Sequence, residues 1–165
     1  MGFFDKLFGK SEKVNGNHIY APLAGKVVSI TEVPDPTFAE GMLGNGVAII
    51  PTDGKVCSPV NGVVETMFDT GHACCLKSET GAEILIHVGL ETVGLNGAPF
   101  KVAVKNGETV KKGQLLMEAD LEMIKAAGLP TITPVVICNT DDYTKFTTNV
   151  DKDVTNADVV IELGK

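Results

Sequence analysis

DTGHACCLKSETGAEILIHVG, residues 69–89, contains two apolar runs, each with one histidine at its outer end. The first run starts at His72 and the second ends at His87, with SETG between them. Short runs of β-branched and apolar residues around a turn-forming tetrapeptide read as a β-hairpin. If Glu79-Thr80 is a two-residue loop, Ser78 faces Gly81. His72 then stands directly across from His87, with Cβ atoms ~5 Å apart. Glu-Thr is a weak pair for the turn this requires, and Gly81 suits a three-residue loop with a bulge. That loop shifts the pairing by one residue and separates the two faces, unless a second bulge restores them. The chain has only three histidines, so two of them at matched ends of one hairpin bear on function.

The rest of the chain continues the same pattern. Candidate strands run over 26–30, 47–50, 62–68, 72–76, 82–88, 101–104, 115–118, 135–138 and 159–163, separated by Gly, Pro, Asp or Asn clusters. One short helix is expected over 120–127, with Asp120 as N-cap and Gly128 and Pro130 as its stop. APLAGKVVSI (21–30) and SPVNGVVETM (58–67) share Pro, Gly and Val at matched positions. This internal echo is read as a turn that launches a strand, used twice. The expected fold is all-β: an antiparallel sandwich or barrel of short strands, with pseudo-repeated halves and little helix.

The 165 residues suit one domain with a proper core. A net charge of −7 with no basic stripe argues against a nucleic-acid partner. Four cysteines, at 57, 74, 75 and 138, show no C-x-x-C spacing and are read as reduced thiols packed as small hydrophobes. No secretory signal and no apolar run of spanning length are seen, which points to the cytoplasm. MGFFDKLFGK stands apart. A helix over residues 1–10 gathers Phe3, Phe4, Leu7 and Phe8 on one side, suited to weak contact with a membrane surface. A polar linker follows, so the chain divides into a leader and linker (1–17) and a domain (18–165).

Two facing imidazoles invite three chemistries. Metal binding lacks a third ligand and an H-x-H or H-E-x-x-H pair, so neither a metal nor a cofactor is expected, and a zinc hydrolase is disfavoured. A non-catalytic regulatory surface remains open. The third is nucleophilic: a neutral imidazole nitrogen attacks a phosphoryl group while its neighbour donates to the phosphate oxygens. Thr70 is placed to fix the tautomer of His72, Gly71 and Gly89 to leave room for phosphate or partner, and Glu91 to pair with a cation on that partner.

FDTGHACCL (68–76), EILIHVGLETVGLNG (83–97), IYAPLAGKVVSI (19–30), FAEGMLGNGVAIIP (38–51), SPVNGVVETMF (58–68) and TPVVICN (133–139) together resemble the IIA domain of the glucose family in the bacterial sugar phosphotransferase system. The leader resembles that of free-standing members. The resemblance implies a β-sandwich with both histidines in a shallow apolar depression. It implies that His87 is phosphorylated on Nε2, that His72 hydrogen-bonds the phosphate and that Thr70 orients His72. The implied donor is phosphorylated HPr and the implied acceptor a cysteine on the IIB domain of a sugar permease. Phe38, Met42, Leu43, Phe68, Leu85 and Val93 are candidates for the docking surface. The chain departs from the family pattern at Cys74-Cys75, where a Phe often follows the first histidine, at Glu91, commonly Asp, and at Asn96, sometimes Lys.

Overall fold

The computed structural model describes Asn15 and residues 17–165, and of the preceding segment the backbone of residues 4–5 and 8–9. The leader helix expected over residues 1–10 falls outside the described residues, save for the extended backbone of β1 (Phe4–Asp5) and β2 (Phe8–Gly9). From there the order is β3 (His18–Tyr20), β4 (Gly25–Ser29), α1 (Pro36–Ala39), β5 (Asn45–Pro51), β6 (Lys55–Cys57), β7 (Gly62–Met67), β8 (Ala73–Ser78), β9 (Glu83–His87) and β10 (Phe100–Val102). The chain continues through β11 (Thr109–Val110), β12 (Leu115–Ala119), α2 (Leu121–Ala126), β13 (Thr133–Ile137), β14 (Lys145–Thr148), β15 (Lys152–Val154) and β16 (Val159–Gly164).

All nine expected strands form, with ends shifted by at most two residues. Short strands such as β3, β11 and β15 lie outside those expected; two or three residues are too few to show alternation. The expected helix forms as α2, its Asp120 carboxylate accepting from Met123 N–H at 3.0 Å. Losing that cap costs about 1 kcal/mol. Gly128, with φ 79°, ends the helix in the left-handed region that glycine tolerates.

Eight strands form one sheet in the order β11-β7-β8-β9-β13-β5-β4-β15, and two three-stranded sheets, β10-β12-β6 and β14-β16-β3, accompany it. From His18 onward the ladders are antiparallel. The repeated segments lie in the same hydrogen-bonded sheet. They are β4 and β7, each second from one end of the large sheet. Their shared glycine has a shared cause: a Cβ on Gly25 would lie 2.2 Å from the Ile50 carbonyl oxygen, and one on Gly62 would lie 2.1 Å from that of Lys77.

The large sheet has two apolar faces. On one, Val27, Ile49, Leu76 and Ile86 meet Ile19, Leu116 and Ile161 of the smaller sheets in a common core, giving a β-sandwich. On the other, Val28, Ala48, Ala73, Leu85 and Val136 form a second cluster with Phe38 and Leu90. Alternation along β9 puts His87 on this second face with Leu85.

The β8–β9 hairpin pairs Ala73 with His87, Cys74 with Ile86 and Lys77 with Glu83. The register that sets His72 directly across from His87 is therefore not adopted. Gly81 decides this. It takes φ 96°, and Ser78 N–H donates to Ala82 O at 2.9 Å, which closes a three-residue loop.

Candidate active site

The one-residue shift does not separate the histidines. Ala73 is the first residue of β8, so His72 lies beyond the ladder and escapes strict alternation. Gly71 precedes it with φ 75° and turns the chain. The backbone still ties the two together, Val88 N–H donating to His72 O at 2.7 Å. The ring centroids stand 5.1 Å apart at 79°.

Each ring is held through Nδ1, by different means. The His87 Nδ1 lies 2.7 Å from the Gly89 carbonyl oxygen. A carbonyl only accepts, so Nδ1 carries the proton and the lone pair is left on Nε2. The His72 Nδ1 meets the hydroxyl of Thr70, which donates or accepts. Both imidazoles are pushed below the usual histidine range. For His72 burial is the larger cause, followed by repulsion from His87. For His87 burial outweighs the opposing pull of the Gly89 hydrogen bond and the Asp35 carboxylate. Both rings are therefore neutral at pH 7, the state in which imidazole is a nucleophile.

The surroundings are apolar. Phe38 packs on His87 at 5.2 Å between centroids, and Phe68 on His72 at 5.3 Å. Phe38 arrives on α1, a helix too short to show periodicity in the sequence. Asp35 caps it by accepting from Thr37 N–H at 3.0 Å, and Pro36 supplies the first turn. Of the docking candidates, Met42 (69% exposed), Leu43, Phe68 and Val93 (51% exposed) reach the surface. Phe38 and Leu85 are buried in the cluster beneath. Glu91 is exposed, with φ 63°, on the loop after His87.

The structure gives Gly71 and Gly89 another purpose than room for phosphate or partner. A Cβ on Gly71 would lie 2.8 Å from Val102 Cγ2, and one on Gly89 would lie 2.7 Å from Thr92 Cγ2 and 2.9 Å from Pro130 O. The chain itself fills that space. The four thiols are free, but only Cys74 is a buried small hydrophobe as expected, and Cys138 is exposed. Burial pushes Cys74 up to about 12, so this neighbour of His72 stays a protonated, inert thiol. Sequence reasoning also missed two groups that serve His87: the Gly89 carbonyl, which has no residue-type signature, and Asp35, which is distant in sequence. Among the described residues no helix is long and apolar enough to cross a membrane.

Paired neutral histidines with anchored Nδ1 atoms, set in an apolar face of a β-sandwich, form an arrangement chemically able to pass a group through an imidazole nitrogen. Comparison with known proteins narrows this. Residues 17–143 match the family described as phosphoenolpyruvate-dependent sugar phosphotransferase system, EIIA 1. A Bacillus cereus protein named PTS system glucose-specific EIIA component is 51% identical over 147 residues, covering 89% of each chain. A Staphylococcus saprophyticus glucose-specific EIICBA component is 44% identical over 152 residues, 92% of this chain and 22% of that longer one. The solved structure of glucose permease IIA from Mycoplasma capricolum matches with a TM-score of 0.79 at 32% identity, over 87% of this chain and 93% of that one. This chain belongs to the EIIA 1 family, and it is a phosphoryl-relay component of the sugar phosphotransferase system.

Proposed function

We propose that His87 is the residue that carries the phosphoryl group, on Nε2. The observation that supports this most directly is the Gly89 carbonyl on Nδ1, which leaves Nε2 as the free lone pair. Phosphorylated HPr is the donor. The His87 Nε2–P bond forms as the N–P bond on the HPr histidine breaks. The acceptor is a cysteine on the IIB domain of a glucose-type permease, where an S–P bond forms as the Nε2–P bond breaks and the imidazole is released neutral. His72, with Thr70 donating to its Nδ1, offers Nε2–H to the phosphate oxygens. Phe38, Leu85, Phe68, Met42, Leu43, Val93 and Glu91 form or support the docking surface, where apolar contact with a few charges suits a transient partner.

Residues 18–165 act as the phosphoryl carrier in the cytoplasm. The leader adds weak contact with the inner membrane surface, because the sequence of residues 1–10 intersperses four apolar residues with Lys6 and Lys10. Vesicle co-sedimentation of the full chain against one lacking residues 1–16 tests the leader, and equal sedimentation refutes it.

The central test is incubation with phosphorylated HPr, then mapping by mass spectrometry at neutral pH. The expected product is an acid-labile, base-stable phosphoramidate on His87. Label on His72 alone, or on Ser or Thr, overturns the assignment.

A further inference from the structure

The segment that follows His87 is fixed more firmly than a loop with a central glycine requires. Gly89, at φ 74°, has the widest conformational freedom of any residue type, yet its carbonyl must stay on His87 Nδ1. Two peptide planes flank it, and each is pinned from outside. The plane after Gly89 is held by Leu90 N–H, which donates to Pro130 O at 3.2 Å. The plane before it is held by Thr92, whose hydroxyl donates to the Val88 carbonyl at 2.6 Å. Thr92 is fully buried and one of few buried polar residues in the fold. Its Cγ2 packs where a Gly89 side chain would stand.

We propose that Thr92 is a positioning residue for His87: its hydroxyl, by holding the Val88–Gly89 peptide plane, keeps the Gly89 carbonyl on Nδ1 and so keeps the lone pair on Nε2. The inference rests on His87 being the phosphoryl carrier, but its direct consequence is a tautomer, which is measured without any transfer. The Thr92 hydroxyl bonds the Val88 carbonyl and not an imidazole. With the hydroxyl gone, the Val88 carbonyl loses this donor in a buried site, and the Gly89 carbonyl is held in place by the Leu90–Pro130 bond alone. Nδ1–H then loses a fixed acceptor, and the population with the proton on Nε2, in which that nitrogen has no lone pair to attack phosphorus, rises.

The experiment is long-range ¹⁵N–¹H NMR of the two imidazoles in the full chain above pH 7, for wild type, Thr92→Val and Thr92→Ser. Wild type is expected to show His87 as the Nδ1–H tautomer, Thr92→Val a mixture, and Thr92→Ser the wild-type pattern. Valine is not a neutral replacement, since a methyl lands where the hydroxyl held a carbonyl at bonding distance. Uptake from phosphorylated HPr should fall roughly three- to tenfold in Thr92→Val and recover in Thr92→Ser. An unchanged His87 tautomer in folded Thr92→Val overturns the proposal. Should that variant not fold, the wild-type chain decides: a slowly exchanging Thr92 hydroxyl proton is expected, and a rapidly exchanging one overturns the role. A tautomer shift with phosphate mapped to another residue would leave the positioning role intact and refute only the assignment of His87 as carrier.

Discussion

The two histidines differ in what holds them. His87 closes a strand and gives its Nδ1 proton to a backbone carbonyl; His72 precedes a strand and shares Nδ1 with the Thr70 hydroxyl. A carbonyl is an acceptor only, so His87 has one tautomer. A hydroxyl rotates between donor and acceptor, so His72 has two at little cost. The contrast matches two jobs. A nucleophile needs its lone pair always on the same atom. A partner that greets and releases a charged group has to adjust as charge arrives and leaves.

Replacing each histidine by glutamine is the strongest way to break this comparison. His87→Gln should abolish phosphoryl uptake from phosphorylated HPr, since an amide nitrogen is no nucleophile. His72→Gln should still accept the group, because glutamine donates a hydrogen bond. Passage to IIB should slow on the order of 10²- to 10³-fold, the range seen when one positioned donor to a developing charge is lost. Rapid-quench measurement of both half-reactions decides. Normal passage to IIB with collapsed uptake in His72→Gln would mean the roles are reversed.

Thr70→Val sharpens the comparison at smaller scale. It leaves both rings in place and removes only the adjustable partner of His72. Passage to IIB should slow roughly three- to tenfold, with uptake nearly unchanged. If uptake suffers equally, the hydroxyl organises the whole site and the division between the rings is false.

How much of this is legible in the sequence follows the same divide. The hairpin is readable because Ile84-Leu85-Ile86 and Cys74-Cys75-Leu76 flank a turn sequence. Its register is not, since choosing between Glu79-Thr80 and a loop closed at Gly81 rests on one glycine's dihedral angle. Thr70 is readable as a hydroxyl two residues from His72. The Gly89 carbonyl is not, because every residue has one. Phe38 is expected as a surface contact. The sequence shows its apolarity but not that α1 folds it against His87 and over Leu85. Short strands such as β3 and β15 are held by their neighbours in the sheets, with no periodicity of their own.

The smallest effect concerns pH. Both imidazoles are pushed below the value of about 6.5 that they hold in the unfolded chain. Between the folded value and 6.5 the unfolded chain therefore binds more protons than the fold does. In that window stability rises with pH, so acidification removes it. The stabilisation is fully present above the unfolded value and is lost as pH falls through the window toward the folded one. The two rings do not lose it independently. Whichever takes a proton first repels the second, so the pair titrates over a broader range than a lone histidine. Urea unfolding from pH 7.5 down to 5 should show a shallow loss of stability that is reduced in His72→Gln and in His87→Gln, and more so in the double variant. Phosphorylation should invert one side of the comparison. A phosphate on His87 places negative charge beside His72 and should move its titration upward, as NMR of the phosphorylated chain would show. A stability profile equally steep in the double variant would assign the acid sensitivity elsewhere. An unmoved His72 titration would mean that the phosphate does not sit between the rings.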